Sequence, residues 1–158
     1  GNELTMEAAQ TSFISSAYWT EGVGVAAAVA SISKMKTLDV PSHLNKIGTQ
    51  FLSGWRELGE KFQLPVTCGG RPEITKVGFD HTEANSLMTL FTTRMLDRGF
   101  LASSTFNPTW AHQPRHVEAY ILAAEYVFKE ITEALEKNDI EQRVHHKPKH
   151  NGFARLVE

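Results

Sequence analysis

The densest group of chemically capable side chains lies at residues 13–20, where Ser15, Ser16 and Thr20 stand among Phe13, Tyr18 and Trp19. Each hydroxyl can donate and accept a hydrogen bond. Thr20 precedes Glu21 and an Ala-rich run, the position of a helix N-cap. Free N–H groups and the helix dipole favour an anion there, and phosphate is the obvious one. Simple capping by Ser16 or Thr20 is the commoner use of these residues. Residue types alone leave both readings open.

Other reactive groups are scattered. Cys68 is the single cysteine, so it has no internal disulfide partner, and a reducing compartment is the easier expectation. Its type is more often a small buried residue than a nucleophile. The loop 105–112 carries Asn107 and His112 among aromatics. Asn107 precedes Pro108, which suits a turn as well as a substrate contact. Cys68 and His112 would make a nucleophile and base only within hydrogen-bond range. His145, His146 and His150 lie among Lys147 and Lys149 without zinc-ligand spacing or a second cluster, so no metal site is expected. Gly69-Gly70 lacks the rest of a phosphate-loop pattern.

The elements that must position these groups follow from periodicity. Leu4 to Gln10 has a short helical bias, and residues 22–36 read as a helix favoured by Ala26, Ala27, Ala28 and Ala30. A second long helix spans residues 39–62, with Asp39 as cap and Val40, Leu44, Ile47, Phe51, Trp55, Leu58 and Phe62 on one face. Residues 66–68 and 73–79 read as strands joined by a turn at Gly69-Gly70-Arg71-Pro72, with Ile74, Val77 and Phe79 as apolar anchors. Thr82 is the expected cap of a helix over 83–98 that stops at Gly99. A third strand is expected over 100–104, and a last helix over 114–137 opens on Pro114. Helices covering about three strands make an α+β or α/β small domain.

Two stretches resemble a known family. Residues 13–29, FISSAYWTEGVGVAAAV, resemble the serine-rich segment of class III aminotransferases, in the branch related to glutamate-1-semialdehyde aminomutase. Residues 99–128, GFLASSTFNPTWAHQPRHVEAYILAAEYVF, resemble the family's closing strand, Ala-His step and last helix. The resemblance implies the aspartate-aminotransferase fold (fold type I), pyridoxal phosphate as cofactor, and dimers with active sites at the subunit interface. It implies that Ser15, Ser16 and Thr20 contact the cofactor phosphate or the interface. The family's threonine in this segment is Ala17 here, which leaves Ser16 or Thr20 to supply its contact. The Schiff-base lysine would lie upstream of residue 1. Lys34, Lys36, Lys46 and Lys61 do not match it, so the chain resembles a C-terminal portion with no catalytic residue and no activity by itself. In the aminomutase a glutamate follows the phenylalanine of the loop. Asn107 stands there, a weak substrate contact that weighs against mutase chemistry.

Composition sets outer bounds. The chain has 158 residues, 41% hydrophobic and 22% charged, enough to bury one core. A net charge of −2 gives no nucleic-acid footprint, and the apolar run near 23–30 is too short for a membrane span. The expected organisation is a large-domain remnant at 1–21, interdomain helices at 22–62, the small domain at 63–137, and a polar tail at 138–158. A cytoplasmic location and a homodimer or higher oligomer are expected, with association through Phe13, Tyr18, Trp19 and Val25. A non-catalytic partner- or ligand-binding module is the alternative.

Overall fold

The computed structural model describes residues 2–10 and 21–144, which divide into two compact units, Gly1–Asp39 and Val40–Glu158. The division falls within the 22–62 pair of helices and places the second of them with the sheet.

The first unit holds α1 (Glu3–Gln10) and α2 (Gly22–Thr37). The Asn2 side chain opens α1 by accepting the Thr5 N–H at 2.9 Å. The N-cap of α2 is Glu21, not Thr20, because helical backbone begins at Gly22 and Glu21 is still extended. A carboxylate there suits the positive end of the helix dipole. No residue of α2 is buried.

The second unit runs α3 (Val40–Phe62), β1 (Val66–Arg71), β2 (Ile74–Phe79), α4 (Ala84–Asp97), β3 (Thr105–Phe106), α5 (Pro114–Lys137) and α6 (Ile140–Arg143). The three strands form an antiparallel sheet in the order β1-β2-β3. The expected α+β class, about three strands covered by helices, is the observed one.

Trp55 lies at the centre, fully buried, with the rings of Phe91 and Phe128 at 5.0 Å and Phe79 at 5.8 Å. The steps of three and four along α3 put Ile47, Phe51, Trp55 and Leu58 on this buried face. Leu87, Met88, Phe91 and Met95 answer from α4, and Val117, Ala124, Phe128 and Ile131 from α5.

Four boundaries depart from the expectation. The hairpin turn sits at Pro72-Glu73, since β1 continues through Gly69 and Gly70 to pair Arg71 with Ile74. Gly70 has a φ of +78°, and a Cβ there would meet the Ile74 carbonyl, so the strand bends where only glycine fits. On β2 the inward positions are Thr75, Val77 and Phe79, while Ile74 is 62% exposed. Alternation forces this, because Ile74 is out of phase with Val77. Thr75 is satisfied by β3: its hydroxyl donates to the Phe106 carbonyl at 3.0 Å and accepts the Phe106 N–H at 3.1 Å.

The third strand is Thr105–Phe106 rather than 100–104. Helix α4 ends in a tight reversal, with Gly99 at φ +84° and the Phe100 N–H on the Met95 carbonyl at 2.9 Å. That closure occupies Phe100, and regular pairing waits until β2 is reached. Thr82 does not cap α4. The N-cap is Glu83, whose N–H donates to Nδ1 of His81 at 3.1 Å. Beyond Asn138, the 140–144 stretch is packed rather than polar, with Ile140 and Val144 buried. Arg94, paired with Glu130 at 2.9 Å, donates to the Arg143 carbonyl at 3.2 Å and so ties the stretch to α4 and α5.

The hairpin is held against α3. Asn45 Nδ2 donates to Glu73 Oε1 at 2.8 Å, a bond that holds the Glu73 carboxyl below its ordinary range. A Cβ on Gly48 would run into the Pro72 carbonyl. Gly48→Ala therefore sets a helix-propensity gain of about 1 kcal/mol against overpacking of about 1–3 kcal/mol. Because the obstacle is backbone, overpacking wins. The expected outcome is a lower urea midpoint for Gly48→Ala at unchanged m-value, and an equal or higher midpoint would contradict the close approach.

Candidate functional site

Ser15, Ser16 and Thr20 lie outside the described residues, as do His145, His146 and His150. The described candidates are Cys68, Asn107 and His112, and no hydrogen bond joins any two of them among the described residues.

After β3 the chain turns at Asn107, which is exposed, and at Pro108, which is buried. The Thr109 N–H then donates to Nδ1 of His112 at 2.9 Å, and the Thr109 hydroxyl lies 2.9 Å from the same nitrogen. A backbone N–H can only donate, so Nδ1 accepts and the ring carries its proton on Nε2. The His112 carbonyl is held by Nε2 of His43 at 2.9 Å, and the His43 ring packs on Trp110 at 4.7 Å. His112 is thus a built corner between β3 and α5, as a structural step into the last helix requires.

Two residues later, α5 begins at Pro114. Gln113 is extended at the N-cap, Pro114 takes the first helical position, and His116 Nδ1 accepts the Gln113 N–H at 3.2 Å. That is the role a Glu or Gln plays in a capping box. Since Nδ1 of His116 accepts a backbone N–H, its proton sits on Nε2, and the 3.4 Å approach of Arg115 Nε to that atom is a packing contact.

These two histidines form one wall of a cavity of about 300 Å³. Aromatic rings in contact make the rest. Phe106 meets His112 at 5.2 Å and Phe51 at 4.5 Å, and Tyr120 meets Phe51 at 5.3 Å and Phe100 at 5.5 Å. Leu101 and Val117 complete the lining, and Asn107 does not contribute to it. Burial pushes the Tyr120 hydroxyl far above the ordinary tyrosine range, so it stays protonated. A wider groove of about 490 Å³ between α3 and α5 is lined by Gln50, Ser53, Glu57, Glu118 and aliphatic groups. It is open, and nothing in it pairs a nucleophile with a base.

Cys68 is half-buried on β1, and burial raises its thiol while Arg56 pulls partly back. It makes no hydrogen bond to His112 among the described residues, and Nδ1 of that histidine is already taken. The Cys–His enzyme reading therefore has no geometric basis. Among the described residues no three metal-ligating side chains gather, no lysine lines the cavity, and no helix is long and apolar enough to cross a membrane. Sequence reasoning missed Tyr120 and His116. The Pro114 start placed His116 at the third helical position, which was the available signal.

No protein-family model matches the chain, and no curated protein matches it. Among solved structures it is similar to the FumI protein of Sphingopyxis sp. MTA144 in its pyridoxal-phosphate internal aldimine form. The TM-score is 0.69 at 16% identity, over 86% of this chain and 33% of that one. The chain thus spans about a third of the length of the structure it matches. At that identity the likeness establishes the fold: the α+β architecture is that of one part of this pyridoxal-phosphate protein.

Two outcomes test this geometry. His116→Ala removes the acceptor for the Gln113 N–H and should cost about 0.5–2 kcal/mol, as other cap losses do. His116→Gln should retain most of it. Urea unfolding and amide exchange at Gln113 read both, and equal losses in the two variants would refute the capping role. Cys68 should react with a disulfide reagent more slowly at neutral pH than the urea-unfolded chain does, because a raised pKa leaves less thiolate. Its rate should climb through a midpoint above that of a free cysteine. Equal folded and unfolded rates would contradict the burial.

Proposed function

We propose that this chain is the C-terminal part of a pyridoxal-phosphate-dependent aminotransferase of class III, in the branch related to glutamate-1-semialdehyde aminomutase. The observation that carries the reading is the shared fold with a third of a pyridoxal-phosphate protein over most of this chain. The motif at residues 13–29 supports the finer family assignment. Asn107 in place of the aminomutase glutamate favours transfer between two molecules over a mutase reaction.

In this reading residues 1–21 belong to a large domain, and α2 joins it to a small domain that takes in α3 and the packed 140–144 stretch. The described residues do not fit the cofactor by themselves. Their cavity has no lysine to form the imine, and it is lined by rings and aliphatic groups rather than by a phosphate cradle. The cofactor would supply an electron sink for amino-group transfer in the complete enzyme. Ser15, Ser16 and Thr20 are proposed to contact its phosphate across a dimer interface, and Asn107 to face the substrate. Val23, Val25, Val29 and Ile32 of α2 are exposed, which supports association as a homodimer or higher oligomer. A cytoplasmic enzyme is proposed on the single reduced cysteine.

The test is pyridoxal-phosphate titration followed by absorbance and borohydride trapping. This chain alone should give only weak, unsaturable imine on surface lysines. A polypeptide extended upstream by its genomic sequence should give one stoichiometric imine, and Ser16→Ala should weaken its cofactor affinity. An extended polypeptide that forms no stoichiometric imine would sink the proposal and leave the binding-module reading.

A further inference from the structure

We propose that the cavity framed by Phe51, Phe100, Phe106, His112, His116 and Tyr120 is a binding site for a small aryl or branched alkyl carboxylate. Its size, lining and hydrogen-bond donors fit such a ligand.

The size is set by geometry. A dry cavity of roughly 150 Å³ holds a benzene ring, and this one is about 300 Å³. It has room for one ring or branched alkyl group and a short chain. The lining is aromatic on its floor, and the rings are already in mutual contact, so the site is formed before a ligand arrives. Ring edges and faces at these spacings accept a further ring in an offset or edge-on arrangement.

The polar groups choose the other end of the ligand. The backbone N–H groups of Thr109 and Gln113 force both histidines into the tautomer that carries hydrogen on Nε2. The Nε2–H of His112 has no hydrogen-bond partner among the described residues, and neither has the protonated Tyr120 hydroxyl. Arg115 adds positive charge beside His116. No carboxylate lines the cavity. Donors in the lining with no facing anion, and the exposed Arg115 guanidinium next to His116 outside that lining, favour a ligand that accepts and is negative, which a carboxylate is. The neighbouring groove, with Glu57 and Glu118 on its walls, has the opposite character.

In a complete aminotransferase the ligand would be an amino or keto acid with such a side chain. That assignment rests on the proposed function, whereas binding by this chain does not.

The experiment is nitrogen–proton NMR of the 158-residue chain titrated with 3-phenylpropionate, 3-phenylpropanol and inorganic phosphate. Saturable shifts are expected at residues 100–106 and 112–120 with phenylpropionate, with a Kd on the order of millimolar for so small a ligand. The alcohol should bind the same residues more weakly, and phosphate should not saturate them. Leu101 lines the mouth and is 94% exposed, so Leu101→Asp leaves folding intact. It should weaken phenylpropionate about fivefold by like-charge repulsion while sparing the alcohol. Absence of saturable shifts at these residues, an equal response to phosphate, or an unaffected Leu101→Asp variant would each overturn the proposal. A failed imine titration with intact cavity binding would instead overturn the aminotransferase reading alone.

Discussion

The burial of one indole governs this structure. Trp55 belongs to α3, yet its ring meets Phe79 of β2, Phe91 of α4 and Phe128 of α5. Four elements are thereby brought to one point. The cost is visible: the Trp55 Nε1–H has no partner among the described residues. An unsatisfied buried donor costs about 1–3 kcal/mol, while removing such a ring from a core costs about 3–5 kcal/mol. Packing wins, and the donor is left to aromatic surroundings.

The candidate cavity inherits its shape from this centre. Phe51, one turn before Trp55, stacks near it at 6.3 Å and on Phe106 at 4.5 Å. The same residue is therefore core on one side and cavity floor on the other. β3 is only two residues long, and its attachment depends on the Thr75 hydroxyl bonding both polar groups of Phe106. Between Gly99 and β3 the chain is irregular, and that irregularity brings Phe100 and Leu101 to the cavity mouth. A longer third strand would have carried the chain elsewhere.

The two compact units differ in how they satisfy their apolar surface. The unit from Val40 onward buries its helix faces within itself. Helix α2, apolar on nearly all sides through Ser33, buries nothing. A helix of that composition ordinarily lies inside a larger protein. In the proposed function the rest of the complete enzyme would cover it.

The sequence by itself determined the helices and the class. Steps of three and four marked the faces of α3 and α5, Pro114 and Gly99 marked a start and a stop, and the hydroxyl-aromatic motif pointed to a cofactor family. These signals are local, so they survive without a partner. Tertiary structure decided the rest. The hairpin moved to Pro72-Glu73 because Gly70 bends rather than ends β1. Ile74 went outward because the sheet allows one inward phase. The third strand shifted to Thr105–Phe106 because its register is dictated by β2. Tyr120 and His116 became a site only when α5 was laid beside α3 and the β3 loop, since no spacing in the chain records which residues of distant elements will share a cavity.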